Sequence, residues 1–296
     1  MRVLVTGGNG FVGRYLVSAL RDRGDDVVSA GHAPEGEHRH LDLTDASNVR
    51  DLIDDVRPER IFHLAAQTFV PDAIASPLET FDVNVMGTAR LLDAVRGMGQ
   101  RTAAAPRIVF ASSGQAEHPA DPYGASKAAA EALVHGFAKT YAMDVVTYRG
   151  FNQIGPAQDA RFVVASFARQ LAEIADGANP VMLVGNLEAK RDFLDVRDAV
   201  AAIVMLADRG ESGETYNVCR GEGVAISEVL RKLIMIAGVP VEIREDPQRM
   251  RPSDNPVVVG DPAKLRERTG WTPQYSLEQT LRDVYGDARK RVTATR

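Results

Sequence analysis

The sequence predicts an α/β protein in which a doubly wound parallel sheet is followed by a smaller α/β domain. Short apolar runs alternate with longer helical stretches through the first half of the chain, which is the pattern of βαβ units with helices on both sheet faces. This alternation stops at Gly155-Pro156. The 296 residues are close to the upper limit for one hydrophobic core, so two domains are expected.

The first half supplies the elements of the sheet in order. Gly24 and Pro58 end the first two helical stretches, as residues that stop helices. The predicted strands are Val3–Val5, Val27–Val28, Ile61–Leu64, Arg107–Ala111 and Val145–Tyr148. The predicted helices are Phe11–Arg23, Ala46–Arg57, Phe81–Arg96 and Tyr123–Tyr141.

The second half is predicted to form the smaller domain, at residues 156–296, after a first domain at residues 1–155. A segment near residues 192–217 is expected to return to the first domain. The second half contains four amphipathic segments and a loop rich in Pro and Arg: Phe162–Ile174, Asp195–Ala207, Ile226–Ile236, Leu277–Arg289 and residues 247–256.

Composition excludes several classes of function. Forty acidic and 35 basic residues give a net charge of −5, whereas duplex nucleic acid needs a concentrated basic face, so no nucleic-acid partner is expected. No apolar run reaches membrane-spanning length and the N-terminus lacks a signal peptide. We therefore expect a cytoplasmic protein without a membrane partner.

Two small features of the sequence are interpreted as structural. Cys219 is the single cysteine, and its alternating apolar neighbours predict a buried small side chain in a strand. The stretch Glu37-His38-Arg39-His40 resembles a metal-binding segment but lacks further ligands. It is predicted to be a solvated loop, and no metal site is expected.

A glycine-rich turn joins the first strand to the first helix. Gly7, Gly10 and Gly13 form a G-x-x-G-x-x-G pattern, in which glycine allows the backbone to approach a pyrophosphate. The helix that follows begins at Phe11 and Val12, and its free N–H groups favour an anion. The pattern predicts a Rossmann-type sheet that binds a dinucleotide cofactor.

The second predicted strand bears on the choice of cofactor. NAD-binding proteins usually carry an acidic residue about twenty residues after the glycines, where it holds the ribose 2′-hydroxyl. Here the strand ends Val28-Ser29-Ala30-Gly31-His32 without a carboxylate. A 2′-phosphate would meet no like charge, and His32 is a candidate hydrogen-bond donor to it. NADP(H) is therefore favoured, and NAD(H) stays an alternative.

Tyr123 and Lys127 lie one helical turn apart at the start of an alanine-rich helix. A phenol titrates near pH 10 in water, and lowering its pKa to about 7 requires roughly 4 kcal/mol. We expect the Lys127 ammonium, assisted by a bound nicotinamide cation, to provide that stabilisation. Upstream, the strand that contains Phe110 ends in the hydroxyls of Ser112 and Ser113, which suit the polarisation of a carbonyl oxygen.

These motifs together resemble the extended short-chain dehydrogenase/reductase family, also known as the NAD-dependent epimerase/dehydratase family, over essentially the whole chain. The segments that carry the resemblance are Thr6–Gly13, His63–Gln67, Asn84–Thr88, Ser112-Ser113 and the Tyr123/Lys127 pair. The resemblance implies that Tyr123 is the catalytic acid/base, that Ser113 orients the reacting oxygen and that Lys127 binds the nicotinamide ribose. It also assigns cofactor contacts to Asp42, Leu43, Leu64, Ala65 and Ala66.

The second half resembles the GDP-mannose 4,6-dehydratase branch of that family. The matching segments are Phe151–Pro156, Arg161–Val164, Val184–Phe193 and Arg251–Ser253. The resemblance places Asn152, Arg191 and Arg251 on the nucleotide diphosphate of a sugar substrate, and guanidinium groups suit phosphate oxygens. Guanine specificity rests on the resemblance alone.

One local feature separates reduction from dehydration. Dehydratases of this family place an acid/base pair directly after the catalytic hydroxyl, whereas Ser113 is followed by Gly114-Gln115 and Glu117 is out of register. The sequence therefore favours NAD(P)H-dependent reduction of the C4 ketone of a GDP-linked 4-keto-6-deoxy sugar. The product would be GDP-D-rhamnose or its C4 epimer GDP-6-deoxy-D-talose.

Three alternatives stay open: a GDP-mannose 4,6-dehydratase, a nucleotide-sugar 4-epimerase and a non-catalytic NADP-sensing protein. The helices predicted at Phe81–Arg96 and Ala125–Ala138 carry apolar or small residues on more than one face. This surplus predicts a homodimer formed through helices.

Overall fold

The computed structural model describes residues 1–33, 36–102, 105–250 and 255–294. The chain folds into two units. The first unit comprises Met1–Gly150, Val200–Val218 and Pro262–Trp271, and the second comprises Phe151–Ala199, Cys219–Asp261 and Thr272–Arg296.

The first unit contains most of the strands and helices that the sequence predicts. Its strands are β1 (Arg2–Thr6), β2 (Asp26–Gly31), β3 (Arg39–His40), β4 (Arg60–His63), β5 (Arg107–Ser113), β6 (Val145–Gly150) and β10 (Thr215–Val218). Its helices are α1 (Phe11–Asp22), α2 (Ala46–Val56), α3 (Val70–Ala75), α4 (Pro77–Phe81), α5 (Gly87–Thr102), α6 (Pro122–Tyr141) and α10 (Ala263–Thr269). The division between the units falls within α8 (Val196–Arg209).

One seven-stranded sheet forms the centre of the first unit. Its strand order is β10-β6-β5-β4-β1-β2-β3, and every neighbouring pair is parallel. The order in which the chain adds strands reverses between β1 and β4, and ligands of open α/β sheets bind at the carboxyl ends of the strands beside such a reversal. The predicted α/β fold class is confirmed.

Two local predictions in this unit were wrong. A single helix was expected at Phe81–Arg96, but a π-helical turn at Asp82–Met86 separates α4 from α5. The segment around His38 was expected to be a loop, yet Arg39–His40 forms the edge strand β3 beside β2. Strand β5, in contrast, ends in the hydroxyls of Ser112 and Ser113, as predicted.

The second unit has smaller sheets. Its strands are β7 (Asn152–Ile154), β8 (Val181–Val184), β9 (Lys190–Asp195), β11 (Gly223–Ala225), β12 (Glu242–Glu245) and β13 (Val257–Val258). Its helices are α7 (Val163–Ala175), α9 (Ile226–Ala237) and α11 (Leu277–Ala294). Strand β9 pairs with β7, β11 and β13, while β8 and β12 form a separate parallel pair. The three helices pack their apolar faces with β8 and β9 into one core.

Buried carboxylates hold the loops of the second unit. Asp195 binds the guanidinium of Arg197 through both oxygens, at 2.8 and 2.7 Å, and accepts the hydroxyl of Thr280 at 2.7 Å. Asp192 accepts the backbone N–H groups of Arg220 and Gly221, each at 2.8 Å. These bonds tie α11 and the segment after β10 to strand β9.

The boundaries of the units differ in detail from those predicted. The first unit ends at Gly150, the returning segment is Val200–Val218, and a further returning segment, Pro262–Trp271, was not predicted. Cys219 is buried, as expected, but lies immediately after β10. Among the described residues, no helix combines the length and apolarity needed to cross a membrane.

Candidate functional site

The glycine-rich turn adopts a conformation that only glycine fits. Gly7 has a φ of +71°, and a Cβ built on it would lie 2.8 Å from the backbone nitrogen of Ala65. A Cβ on Gly13 would lie 2.1 Å from the carbonyl oxygen of Gly7. Backbone hydrogen bonds from Gly7 to Ala30 at 2.7 Å and from Gly10 to Gly7 at 3.0 Å fix the turn. A side chain at Gly7 or Gly13 would therefore force the turn apart.

Helix α1 begins directly at this turn. Gly10 is its N-cap and provides no side-chain hydrogen bond, and the first intrahelical partner of the Gly10 carbonyl is the Arg14 N–H at 3.1 Å. The N–H groups of Phe11, Val12 and Gly13 therefore point out of the helix end, where they suit an anionic group. The predicted cofactor residues of this turn thus come together at the N-terminal end of α1.

The end of β2 presents histidine rather than an acid. His32 is exposed, and its backbone carbonyl oxygen is 3.1 Å from the Nδ1 atom of His40. Asp42 is half-buried, and its carboxylate accepts the backbone N–H of Thr44 at 2.8 Å and the Thr44 hydroxyl at 2.7 Å. These two bonds lower the pKa of Asp42. The neighbouring Leu43 is buried in the core.

The segment Leu64–Ala66 follows β4 at the same edge of the sheet. The N–H of Leu64 donates to the carbonyl of Thr6 at 3.1 Å, and the N–H of Ala65 donates to the Thr6 hydroxyl at 3.3 Å. All three residues are partly exposed. Together with the contact between Ala65 and Gly7, these bonds place the segment against the glycine-rich turn.

A buried histidine, whose importance the sequence analysis missed, supports this segment. The Nδ1 atom of His63 lies 2.8 Å from the Thr6 hydroxyl, and its Nε2 atom lies 3.1 Å from the Thr88 hydroxyl. Burial, with a smaller effect of the nearby Lys127 charge, lowers the pKa of His63 to about 3. The neutral ring therefore joins β1, β4 and α5 behind the turn.

Ser113, Tyr123 and Lys127 come together where β5 ends and α6 begins. Ser113 lies near enough to Tyr123 to lower the pKa of the phenol, and the Ser113 hydroxyl accepts the N–H of Gln115 at 3.2 Å. The Lys127 ammonium donates to the carbonyl of Ala111 at 2.9 Å. Asp121 caps α6 by accepting the N–H of Gly124 at 2.8 Å. The end of β5 and the start of α6 thus position all three predicted catalytic side chains.

Lys127 was expected to lower the pKa of Tyr123, and this was wrong as far as the protein's own side chains are concerned. Tyr123 is 9% exposed, and its pKa is raised to about 12 because burial disfavours the phenolate. Ser113 lowers the pKa of Tyr123, and the Asp121 charge raises it. The chain therefore holds Tyr123 as a neutral phenol, which is a proton donor.

Lys127 is also strongly affected by burial. It is 4% exposed, and its pKa is lowered to about 8 because burial disfavours the ammonium, while Glu131 raises it. Its Nζ atom lies 5.6 Å from the centre of the Phe110 ring. A largely protonated ammonium at neutral pH is therefore held at the base of the site.

Asn84 is a further polar residue of the site to which the sequence analysis assigned no role. It lies in the π-helical turn and is buried. Its amide donates to the carbonyl of Gln67 at 3.0 Å and to the hydroxyl of Ser126 at 2.9 Å, and Ser126 donates to the carbonyl of Tyr123 at 2.8 Å. π-Helical turns are frequent at functional sites. An asparagine inside a predicted helix was the available signal.

Glu117, the acidic residue nearest to Ser113 along the downstream chain, is held by an arginine. Its carboxylate accepts a hydrogen bond from Arg149 at 2.5 Å, and Gly114–Ala116 forms a short 3-10 helix before it. An arginine-bound carboxylate is a weak base. This geometry agrees with the absence of an acid/base pair after Ser113.

The predicted substrate residues belong to the second unit. Asn152 pairs with Phe193 in adjacent parallel strands, and side chains alternate along a strand, so Asn152 and Arg191 share one face of the pair. Arg191 is half-buried, and its guanidinium donates to the carbonyl of Lys190 at 2.9 Å. Arg251 lies outside the described residues. Among the described residues, no cluster of metal-ligating side chains occurs.

Comparison with known proteins agrees with this architecture. The family model of GDP-mannose 4,6 dehydratase matches residues 4–284. GDP-6-deoxy-D-mannose reductase of Pseudomonas aeruginosa is 37% identical over 312 residues, covering 98% of each chain. GDP-6-deoxy-D-talose 4-dehydrogenase of Aggregatibacter actinomycetemcomitans is 28% identical over 299 residues, covering 96% of this chain and 97% of that protein.

A solved structure shows the same fold. The structure of RMD from Pseudomonas aeruginosa complexed with NADPH superposes with a TM-score of 0.86, at 34% identity over 98% of this chain and 100% of that one. The glycine turn, the parallel sheet and the serine–tyrosine–lysine group define a Rossmann-type protein of the extended short-chain dehydrogenase/reductase class. Within that class, the chain belongs to the GDP-mannose 4,6-dehydratase family.

The buried neutral His63 predicts a pH dependence of stability. Its folded-state pKa of about 3 lies below the usual value near 6.5, so the unfolded chain takes up a proton between these values. The stabilisation by neutral His63 is complete above about pH 6.5 and decreases by at most about 1.4 kcal/mol per pH unit as the pH falls. We expect the difference in unfolding free energy between wild type and His63→Gln to shrink from pH 7 to pH 4.

Urea denaturation at several pH values measures this difference. His135→Gln serves as a control because His135 is exposed on α6, and its difference from wild type is expected to vary little with pH. A constant difference for His63→Gln across this range would contradict the assignment of a neutral buried ring.

Proposed function

We propose that the protein reduces the C4 ketone of GDP-4-keto-6-deoxy-D-mannose with NAD(P)H. The observation that carries the proposal is the group formed by Ser113, Tyr123 and Lys127, in which Tyr123 is a buried neutral phenol and no unpaired acid follows Ser113. The likeness to GDP-6-deoxy-D-mannose reductase over nearly the whole of both chains supports the same activity. GDP-D-rhamnose is the proposed product.

The residues of the first unit fit a dinucleotide cofactor. Glycine at positions 7 and 13 keeps the turn tight, since a Cβ there would clash with neighbouring backbone, and the free N–H groups of α1 suit its pyrophosphate. Asp42 and the segment Leu64–Ala66 are proposed to line its adenosine half, and Lys127 is proposed to hold its nicotinamide ribose. When bound in reduced form, the cofactor supplies the hydride.

Proton donation to the substrate oxygen is assigned to Tyr123. The alkoxide produced by hydride addition to a ketone is a much stronger base than a phenolate, so a phenol whose pKa is near 12 still donates its proton to that oxygen. Ser113 is proposed to donate a hydrogen bond to the same oxygen and so to orient the ketone. Lys127 then stabilises the phenolate that remains.

Asn152, Arg191 and Arg251 are proposed to bind the substrate diphosphate. Asn152 and Arg191 lie on one face of paired strands, and a guanidinium binds phosphate oxygens through paired hydrogen bonds. The likeness to GDP-6-deoxy-D-talose 4-dehydrogenase favours a second candidate product. GDP-6-deoxy-D-talose would form if the hydride reached the opposite face of the ketone.

The remaining proposals concern cofactor choice, assembly and location. NADPH is favoured because the end of β2 presents His32 without a carboxylate, and the related RMD structure contains NADPH; NADH is the alternative. Exposed apolar side chains on neighbouring helices, Leu78 at 85% and Met86 at 50% exposure, support a homodimer. We propose a cytoplasmic location and no nucleic-acid partner for this acidic chain.

Substitution of Tyr123 tests the proposed reduction. In Tyr123→Phe the aromatic ring stays and the proton donor is lost, so kcat is expected to fall by about two to four orders of magnitude, with little change in the Kd of NADPH. Initial rates of NADPH oxidation with the keto sugar and fluorescence titration of NADPH measure the two effects. Tyr148 is a buried tyrosine on β6, so Tyr148→Phe is the control for loss of a buried hydroxyl. Near-normal turnover in Tyr123→Phe would defeat the assignment.

Cofactor preference depends on the end of β2. NADPH is expected to bind more tightly than NADH. His32→Ala is expected to weaken NADPH binding by up to about tenfold, since one hydrogen bond to the charged 2′-phosphate is lost, and to leave NADH binding unchanged. Isothermal titration calorimetry with both cofactors measures the ratio, and His135→Ala is the control. Tighter binding of NADH by the wild type would overturn the preference.

The mass of the protein in solution tests the homodimer. Light scattering at micromolar concentration is expected to give about twice the chain mass of 32.1 kDa. Met86→Glu would place a charge in the proposed interface and is expected to give the monomer mass. Met235→Glu is the matched control, because Met235 is 70% exposed on α9 of the second unit. A monomeric wild type would count against the dimer.

A further inference from the structure

A partly buried ion-pair cluster that the proposed reaction does not use connects α6 to strand β6. The guanidinium of Arg149 binds both carboxylate oxygens of Glu131, at 2.8 and 2.7 Å. It also binds the carboxylate of Glu117 at 2.5 Å. The side chain of Glu131 is 9% exposed, whereas that of Glu117 is 33% exposed. One cation therefore holds two acids that come from different segments of the chain. We refer to these three residues as the Arg149 cluster.

The three members of the Arg149 cluster lie on the elements that carry the catalytic side chains. Glu131 is one turn beyond Lys127 on α6, and residues four apart share a helix face. Arg149 lies on β6, where it pairs with Ser112, and its neighbour Gly150 pairs with Ser113. Glu117 follows the short helix Gly114–Ala116. The cluster thus joins the catalytic helix, the sheet and the segment after Ser113.

The segment between Ser113 and Tyr123 is short and is held at both ends. The N–H of Gln115 donates to the Ser113 hydroxyl at 3.2 Å, and a Cβ on Gly124 would lie 3.0 Å from the carbonyl oxygen of Gln115. Glu117, midway along the segment, is fixed by Arg149. A loss of that bond would free the middle of the segment and loosen the spacing between Ser113 and Tyr123.

The charges around Lys127 show why Glu131 is the member of the cluster that acts on it. The groups near Lys127 from other elements are the neutral ring of His63 on β4 and the Phe110 ring and the Ala111 carbonyl on β5. On its own helix the neighbours are Tyr123 and Glu131. Burial opposes the ammonium, and the charge of Glu131 favours it.

We propose that Glu131 and Arg149 are positioning residues for the reduction, which hold α6 against the sheet beside Ser113 and place a negative charge one turn from the ammonium of Lys127. The inference rests on the proposed function for its catalytic part. Neither residue is assigned a contact with substrate or cofactor. Their effect is exerted through Lys127 and through the spacing of Ser113 and Tyr123.

A stabilising role alone would have different consequences. A buried ion pair is weak evidence for stability, because desolvation of two charges offsets their attraction. Removal of a merely structural pair would lower the unfolding temperature without changing the titration of Lys127 in protein that is still folded. The titration of Lys127 therefore separates the two roles.

The direct test follows the lysine side chains by NMR in protein labelled with 13C at Cε. The chain has six lysines, and Lys127→Arg identifies the Lys127 signal by its loss. In Glu131→Gln the Lys127 titration is expected to move down by about one pH unit, the smaller end of the effect of one nearby charge. In Glu117→Gln, which removes a charge from the same guanidinium, it is expected to stay within a few tenths of a unit.

The outcomes of the NMR test are distinct. A Lys127 titration in folded Glu131→Gln that coincides with that of wild type would overturn the proposal, as would an equal shift in both variants. This measurement needs neither substrate nor cofactor. Its result therefore does not depend on whether the reaction proposed above is correct.

Arg149→Lys provides a second test that keeps both acids and the cationic charge. Lysine cannot reproduce the paired hydrogen bonds of a guanidinium, so kcat is expected to fall at least about tenfold through misplacement of the catalytic groups, with KM for NADPH nearly unchanged. A kcat of Arg149→Lys equal to that of wild type would overturn the positioning role. This test remains available if Glu131→Gln does not fold.

Discussion

Burial of Tyr123 and Lys127 at the carboxyl edge of the parallel sheet is the constraint on which the site depends. Burial raises the pKa of the phenol, which keeps Tyr123 neutral. Burial also lowers the pKa of Lys127, but only to about 8, so the ammonium stays largely protonated at neutral pH. Neighbouring polar groups hold the two side chains in place. The Ala111 carbonyl accepts a hydrogen bond from Lys127, and Asp121 caps the helix that carries both residues.

The same edge of the sheet explains how the cofactor residues meet the catalytic ones. Parallel strands bring the ends of β1, β4 and β5 together, and the glycine turn follows β1 directly. Gly7 approaches Ala65 so closely that a side chain at Gly7 would clash with the segment that follows β4. Neutral His63 behind them completes the contact between the two strand ends.

The sequence was sufficient for the fold class and for the pairing of Tyr123 with Lys127, because both follow from local periodicity. It was insufficient for the π-helical turn at Asn84, since the hydrogen bonds that stabilise the turn reach Gln67 and Ser126, far along the chain. The Arg149 cluster was missed for the same reason: its members come from three separate segments. The sequence did not indicate that the protein's own groups raise the pKa of Tyr123, because the depth of burial has no signature in the spacing of residues.

The central claim is that this chain reduces a ketone on a GDP-linked sugar. The most direct measurement incubates the protein with enzymatically prepared GDP-4-keto-6-deoxymannose and NADPH and analyses the sugar by NMR. One NADPH is expected to be oxidised per ketone consumed, and a new C4 carbinol proton is expected whose couplings identify the rhamno or talo product. Consumption of GDP-mannose without added reductant, or an unchanged keto sugar in the presence of either cofactor, would contradict it.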